Sequence, residues 1–191
     1  MKIGCVVMAS GVSARFGGDK LLAPLWGKPL LAHLLDNLPE TLARVVVVTR
    51  REAVASLAYE RGLEVLLHDF PQVSDTIRLG LSSLGGVKGC MFCTGDQPGL
   101  TKASLQGLLD AFTAQPERIV RLCYGEEAGS PVIFPRSLFP ELLALTPEQA
   151  GSAVIRRHRE LLACVQASSP LELMDVDTRE QLAFWEKRGP G

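Results

Sequence analysis

The sequence predicts an α/β fold, a three-layer Rossmann-like sandwich around a mostly parallel mixed sheet. Three observations carry this reading. Short apolar runs of strand length recur along the chain, the clearest at Ile3 to Met8, Arg44 to Thr49 and Gly89 to Thr94. Longer segments with helical spacing lie between them. Glycine, proline and small polar residues mark the boundaries. Strands alternating with helices in this way build parallel sheets covered on both faces.

Taken in order, Ile3 to Met8 is a buried strand, and Leu30 to Leu38 is a helix opened by Pro29, a residue that suits a first helical turn. Arg44 to Thr49, with four consecutive valines, is a strand. Glu52 to Arg61 is a helix stopped by Gly62, and Glu64 to Leu67 is a short strand. Ser74 reads as the N-cap of a helix reaching Leu84. The Gly89 to Thr94 strand follows, and Thr101 caps a helix to Thr113. Ile119 to Tyr124 and Pro131 to Phe134 flank a Gly-Glu-Glu-Ala-Gly turn, which reads as a hairpin. Helices at Gly151 to His158 and Arg179 to Lys187 complete the set, and the tail Gly189-Pro190-Gly191 is expected to fray. No linker, repeat or low-complexity stretch divides the chain, so residues 1–191 are expected to form one domain.

Composition narrows the partners. A formal net charge of -1 gives no reason to expect a nucleic-acid partner. No apolar run approaches the roughly 20 residues of a membrane helix, and the N-terminus is too short in apolar residues for a signal peptide. The expectation is therefore a cytoplasmic protein with no membrane partner. Cys5, Cys90, Cys93, Cys123 and Cys164 suit a reducing compartment better than a disulfide framework. Cys90 and Cys93 are three apart on a strand and so point to opposite faces, as core residues would. His33, His68 and His158 stand isolated and are assigned no chemistry.

The chemistry begins at Ser10-Gly11-Val12-Ser13-Ala14-Arg15-Phe16-Gly17-Gly18-Asp19-Lys20, directly after the first strand. A glycine-rich loop there can turn backbone N–H groups inward around an anion, and Arg15 and Lys20 add two cations. Polyphosphate is the natural guest. The loop is not a Walker A motif, because neither Lys20 nor Lys28 is followed by Ser or Thr, and its glycines lack the dinucleotide spacing. Gly95-Asp96-Gln97-Pro98 closes a second strand. In an open parallel sheet, ligands bind outside the carboxyl ends of the strands, so neighbouring strands would bring Asp96 to Arg15 and Lys20. A carboxylate there suits Mg²⁺ bridged to substrate phosphates; a plain turn before proline is the other reading. Asp175 and Asp177 share one face of an extended segment. Asp177 or Thr178 could equally cap the last helix, with Glu180 or Gln181 closing a capping box.

These motifs, with Gly27-Lys28-Pro29-Leu30, Ser74-Asp75-Thr76-Ile77-Arg78, Gly129-Ser130-Pro131 and Asp175-Val176-Asp177-Thr178, resemble the MobA-like nucleotidyltransferases. Within them the chain most resembles the molybdenum cofactor cytidylyltransferases and the related accessory proteins of molybdenum hydroxylases. The resemblance implies a nucleotide-diphospho-sugar transferase-like fold. It also implies Mg²⁺-dependent transfer of CMP from CTP to the terminal phosphate of molybdopterin, with release of pyrophosphate. Lys20, Arg15 and Asp96 would be catalytic. Ala9, Ser10, Gly11, Ser13, Arg15, Lys20, Ser74, Asp75 and Thr76 would bind the nucleotide, and Asp96 and Asp177 the metal. A transient contact with a molybdenum hydroxylase or its chaperone is also implied.

The family usually opens with Leu-Ala-Ala-Gly or Leu-Ala-Gly-Gly, whereas this chain has Met8-Ala9-Ser10-Gly11, and Phe16 stands in place of the usual Met. The first departure lies in the turn that helps choose the base. Guanylyl transfer, transfer to a sugar phosphate, and a non-catalytic cofactor carrier stand as alternatives. Arg156, Arg157, His158 and Arg159 either attract the anionic acceptor or form a solvated basic face.

Overall fold

The computed structural model describes residues 1–189. Pro190 and Gly191, part of the tail expected to fray, lie outside the described residues. One seven-stranded sheet organises the chain. Its strands are β1 (Ile3–Ala9), β4 (Arg44–Thr49), β5 (Glu64–Leu67), β6 (Gly89–Thr94), β7 (Ile119–Tyr124), β8 (Glu127–Pro135) and β9 (Leu162–Gln166), in the spatial order β5-β4-β1-β6-β8-β7-β9. Only β8 runs against its neighbours. A separate two-stranded ribbon pairs β2 (Pro24–Leu25) with β3 (Lys28–Pro29).

The valine runs become central strands because both sheet faces are covered. Cys5 and Val7 of β1 and Val47 of β4 pack beneath α1 (Leu30–Asn37), α2 (Glu52–Tyr59) and α4 (Lys102–Ala114). Val6, Val46 and Val48 face the other side, under α3 (Val73–Ser83), α5 (Phe139–Leu143) and α6 (Gly151–Arg157). A strand buried on both faces reads as an unbroken apolar run rather than an alternating one. Gly80 lets α3 sit directly on β1, since a Cβ there would come within 2.5 Å of Val6. A third apolar cluster joins Phe16, Leu25 and Leu30 to Val176 and to Leu182 and Trp185 of α7 (Arg179–Arg188). This cluster seats the last helix beside the glycine-rich loop.

Several expectations are corrected. Ser74 is not the cap of α3; Gln72 is, with Asp75 closing the capping box from the third helical position. The hairpin turns tightly at Gly125-Glu126, so β8 begins at Glu127 rather than Pro131. β9 and α5 are additional, and β9 pairs in parallel with β7 at the sheet edge. That pairing brings Cys123 and Cys164 to a Cα separation of 5.7 Å, and they form a disulfide, contrary to the expected set of free thiols. Cys5, Cys90 and Cys93 are free and buried, with Cys90 and Cys93 on opposite faces as expected.

Candidate active site

β1 is flanked by β4 and β6, both parallel to it, so the sheet's connections diverge there. Such a switch point leaves a crevice outside the carboxyl ends of the strands. The crevice is a cavity of about 480 Å³. It receives the loop after β1 and the Thr94-Gly95-Asp96 turn after β6.

The loop after β1 is held from several sides. Phe16 is 3% exposed in the third apolar cluster, which accounts for a large ring at that position. Gly17 has φ +70°, a left-handed conformation natural to glycine. Arg51, just before α2, reaches across: its Nη1 donates to Asp19 Oδ1 at 2.6 Å and its Nη2 to the Gly11 carbonyl. Sequence reasoning missed Arg51. Its one local signal was an arginine at the end of a parallel strand, on the ligand side of the sheet.

Lys20 is buried to 9% exposure and lies between two carboxylates. Its Nζ donates to Asp96 Oδ2 at 2.5 Å and to Asp177 Oδ1 at 2.9 Å. Burial alone would lower its pKa, but Asp96 and then Asp177 outweigh it, so the ammonium is held above the ordinary lysine value. Arg15 donates to Asp177 Oδ2 at 2.7 Å. The Lys20 hydrogen bond, with help from Arg15, keeps the Asp177 carboxyl below its usual range.

Asp177 reaches this point because Val176 is fully buried and its N–H donates to the Asp96 carbonyl at 2.9 Å. The capping box expected at the last helix is present. Thr178 caps α7, and Gln181 Oε1 accepts from the backbone N–H groups of Asp177 and Thr178 at 2.7 and 3.0 Å. The cap fixes the backbone that presents Asp177. Asp175 is exposed as a whole residue, and its carboxyl is within range of the charges of that cluster. Desolvation, and then the charges of Asp96 and Asp177, push its pKa up to about 6.

The donor set fits a divalent cation. Asp96 Oδ1 is buried without a partner, and Asp177 supplies a second carboxylate beside it through their shared Lys20. Among the described residues no three His, Cys, Asp or Glu side chains converge into a cage. Mg²⁺ suits such a sparse site, because it keeps several waters and takes substrate phosphates as ligands.

Of the expected nucleotide residues, Ala9, Ser10, Gly11, Ser13, Arg15, Lys20 and Thr76 line the cavity together with Asp96 and Asp177. Ser74 and Asp75 do not. Ser74 is fully buried in the first turn of α3, and Asp75 accepts from the Gln72 N–H and pairs with Arg78. Helix phase explains this: Val73 and Thr76 face the crevice, and the two residues between them turn away. The basic run is not at the cavity either, since Arg157 and His158 bind Glu141 at 2.8 and 2.6 Å.

His68, assigned no chemistry from sequence, is buried behind Ser10 of the cavity wall. The Phe70 N–H donates to its Nδ1 at 3.1 Å, and its Nε2 lies 2.8 Å from Ser10 Oγ. Ser10 donates its own proton to the Val48 carbonyl at 3.0 Å, so His68 must donate from Nε2. Desolvation and the nearby Arg50 lower the His68 pKa, in keeping with this neutral tautomer.

The sequence pattern of the MobA-like NTP transferase domain matches residues 5–161. The chain belongs to that family. Asp177 lies beyond the matched span, and the structure brings it to Lys20. A probable molybdenum cofactor guanylyltransferase of Pyrococcus horikoshii is 32% identical over 113 residues, covering 59% of this chain and 57% of that protein. The chain thus spans little more than half of that relative, and 38% of a like-named one from Thermococcus sibiricus. Another protein of that name, from Thermococcus kodakarensis, is 26% identical, with 92% and 90% covered. The structure of Rv0371c from Mycobacterium tuberculosis superposes with a TM-score of 0.82 at 24% identity, covering 98% of this chain and 99% of that one. A nucleotidyl transferase from Methanothermobacter thermautotroptrophicus gives 0.83 at 21% identity, with 98% and 97% covered. Both share the fold, the nucleotidyltransferase sandwich that the sequence predicts.

Proposed function

We propose that this MobA-like domain transfers a nucleotidyl group from an NTP to the terminal phosphate of molybdopterin or the molybdenum cofactor, releasing pyrophosphate. The observation that carries this is Lys20, bonded to both Asp96 and Asp177 beside Arg15, at the switch point of the sheet. Two anions must meet in such a reaction, an attacking phosphate and a triphosphate. Catalysis is then largely positioning and charge neutralisation.

Lys20 neutralises the α-phosphate as charge builds on it. Arg15 and the loop N–H groups hold the β- and γ-phosphates. Asp96 and Asp177 would hold Mg²⁺, which would supply positive charge to offset that of the phosphates. No general base is needed, because a phosphate monoester is already mostly ionised at neutral pH. The nucleotide's phosphates compete with Asp177 for Arg15, so the ion pairs of the cluster exchange partners on binding.

For the base we infer CTP. Ser10 places a side chain in the base-reading turn, and its hydroxyl is engaged by Val48 and His68. Bulk without a free polar group favours the smaller pyrimidine. The names of the curated relatives favour the second reading, GTP. Pyrophosphate release with molybdenum cofactor, Mg²⁺ and each of CTP, GTP, ATP and UTP decides the matter. A CTP preference supports the cytidylyl reading and a GTP preference replaces it. Silence with all four removes the cofactor as acceptor. The role in maturing a molybdenum hydroxylase, through a transient contact with that enzyme or its chaperone, follows from the same reading.

A further inference from the structure

A second chamber of about 370 Å³ adjoins the cavity at the strand ends, sharing Met8, Val73 and Thr94 with it. This chamber lies on the α3, α5 and α6 side of the sheet. Its walls are apolar, formed chiefly by Ile77, Phe92, Val132, Phe134, Leu142 and Ile155. The rings of Phe92 and Phe134 meet edge to face at 5.9 Å. A volume of this order suits a small ring system rather than a polymer.

One cation enters the chamber, Arg121 of β7. Its Nε and Nη2 both donate to the Gly129 carbonyl, at 3.3 and 3.1 Å. Nη1 has no protein partner among the described residues. Arg121 forms no ion pair among them either, and burial alone acts on its pKa, lowering it. A half-buried guanidinium without a counter-charge is costly to keep. The Gly129 clamp orients the planar fork in advance, and an anion completes it with charge-assisted hydrogen bonds.

We propose that the second chamber takes the acceptor, and that Arg121 binds an anionic group on the acceptor's flat ring system, separate from the phosphate that reaches Asp96. The assignment rests on reading the first chamber as the nucleotide half of a transferase site. It requires an acceptor with two anionic ends, one reactive and one recognised. It also moves acceptor recognition away from the basic run at residues 156–159, where Arg157 and His158 are already engaged by Glu141.

The test uses pterin-6-carboxylate, a fluorescent flat heterocycle with one carboxylate and no phosphate, titrated into the full chain without nucleotide. Wild type should bind it. Arg121→Gln and Ser152→Trp, which puts bulk at an exposed lining position on α6 rather than β7, should each weaken binding at least tenfold. Arg121→Lys should restore part of the loss, and Lys20→Ala, in the first chamber, should stay within twofold. Binding by Arg121→Gln equal to wild type overturns the proposal, as does no wild-type binding at millimolar probe. If Arg121→Gln fails to fold, undiminished binding by Ser152→Trp overturns it instead. The titration reads no turnover, so it is independent of whether nucleotide transfer is found. If transfer is found but the acceptor KM is unmoved in Arg121→Gln, the Arg121 assignment fails and the transferase reading survives.

Discussion

Lys20 and Asp96 lie 2.5 Å apart, so removing Lys20 leaves Asp96 without an ion-pair partner, while removing Asp96 leaves Lys20 with Asp177 alone. For Lys20→Ala and Asp96→Ala we expect kcat to fall about 10²–10³-fold, or roughly 3–4 kcal/mol of barrier, as for loss of one strong transition-state contact. Both variants should still fold, and steady-state pyrophosphate release beside a thermal melt reads activity and fold separately. Asp175 gives a different signal. Its pKa of about 6 lies above the ordinary 3.8, so the folded state binds the extra proton between those values. Stability therefore falls as pH rises through that window, and the loss is complete above it. Asp175→Asn removes the charge, so in EDTA the variant should melt above wild type at pH 8, with a smaller gap at pH 4. Equal melting temperatures at pH 8 would show that the carboxyl is not crowded.

At the level of elements, Arg51 and Thr178 hold the glycine-rich loop and the Asp177 segment in place. Arg51→Ala should loosen the glycine-rich loop at Gly11 and Asp19. We expect a several-fold higher KM for NTP with a smaller effect on kcat, read by initial rates. Thr178→Ala should cost about 1 kcal/mol as a lost N-cap and weaken Mg²⁺ binding as well, because the same cap frames Asp177. The strands around the site were legible in the sequence, since central parallel strands leave long apolar runs. β9 was not, because Leu162–Gln166 is a short run at a sheet edge, and only its pairing with β7 makes it a strand. The start of α3 was misread for a related reason. Ser74 has the chemistry of a cap, but the chain turns two residues earlier, at Gln72. Asp96 and Lys20 could be paired from sequence because both follow adjacent parallel strands. Arg51, His68 and Arg121 could not, because nothing local to them says what they face.

In the whole molecule, the parallel half of the sheet, β5-β4-β1-β6, carries the loop and Asp96, while the other half, β8, β7 and β9, carries Arg121, and the second chamber is lined from both. The Cys123–Cys164 link, across a sequence separation of 41, ties the outer edge of that second half. Its reduction should lower stability by about 2–4 kcal/mol, as for a native cross-link. Denaturant melts with and without reductant test this. Equal midpoints would mean that β7 and β9 stay paired by their backbone alone.

The two cations that meet Asp177 differ in their access to water: the Arg15 side chain is 73% exposed and that of Lys20 11%. Dissolved ions screen exposed charges within about 10 Å at 0.1 M and reach enclosed ones far less. Raising ionic strength should therefore weaken the grip on the outer phosphates, through Arg15, while leaving the lysine that acts on the bond being broken nearly untouched. Potassium chloride becomes a tool that loosens capture of the nucleotide without slowing its chemistry.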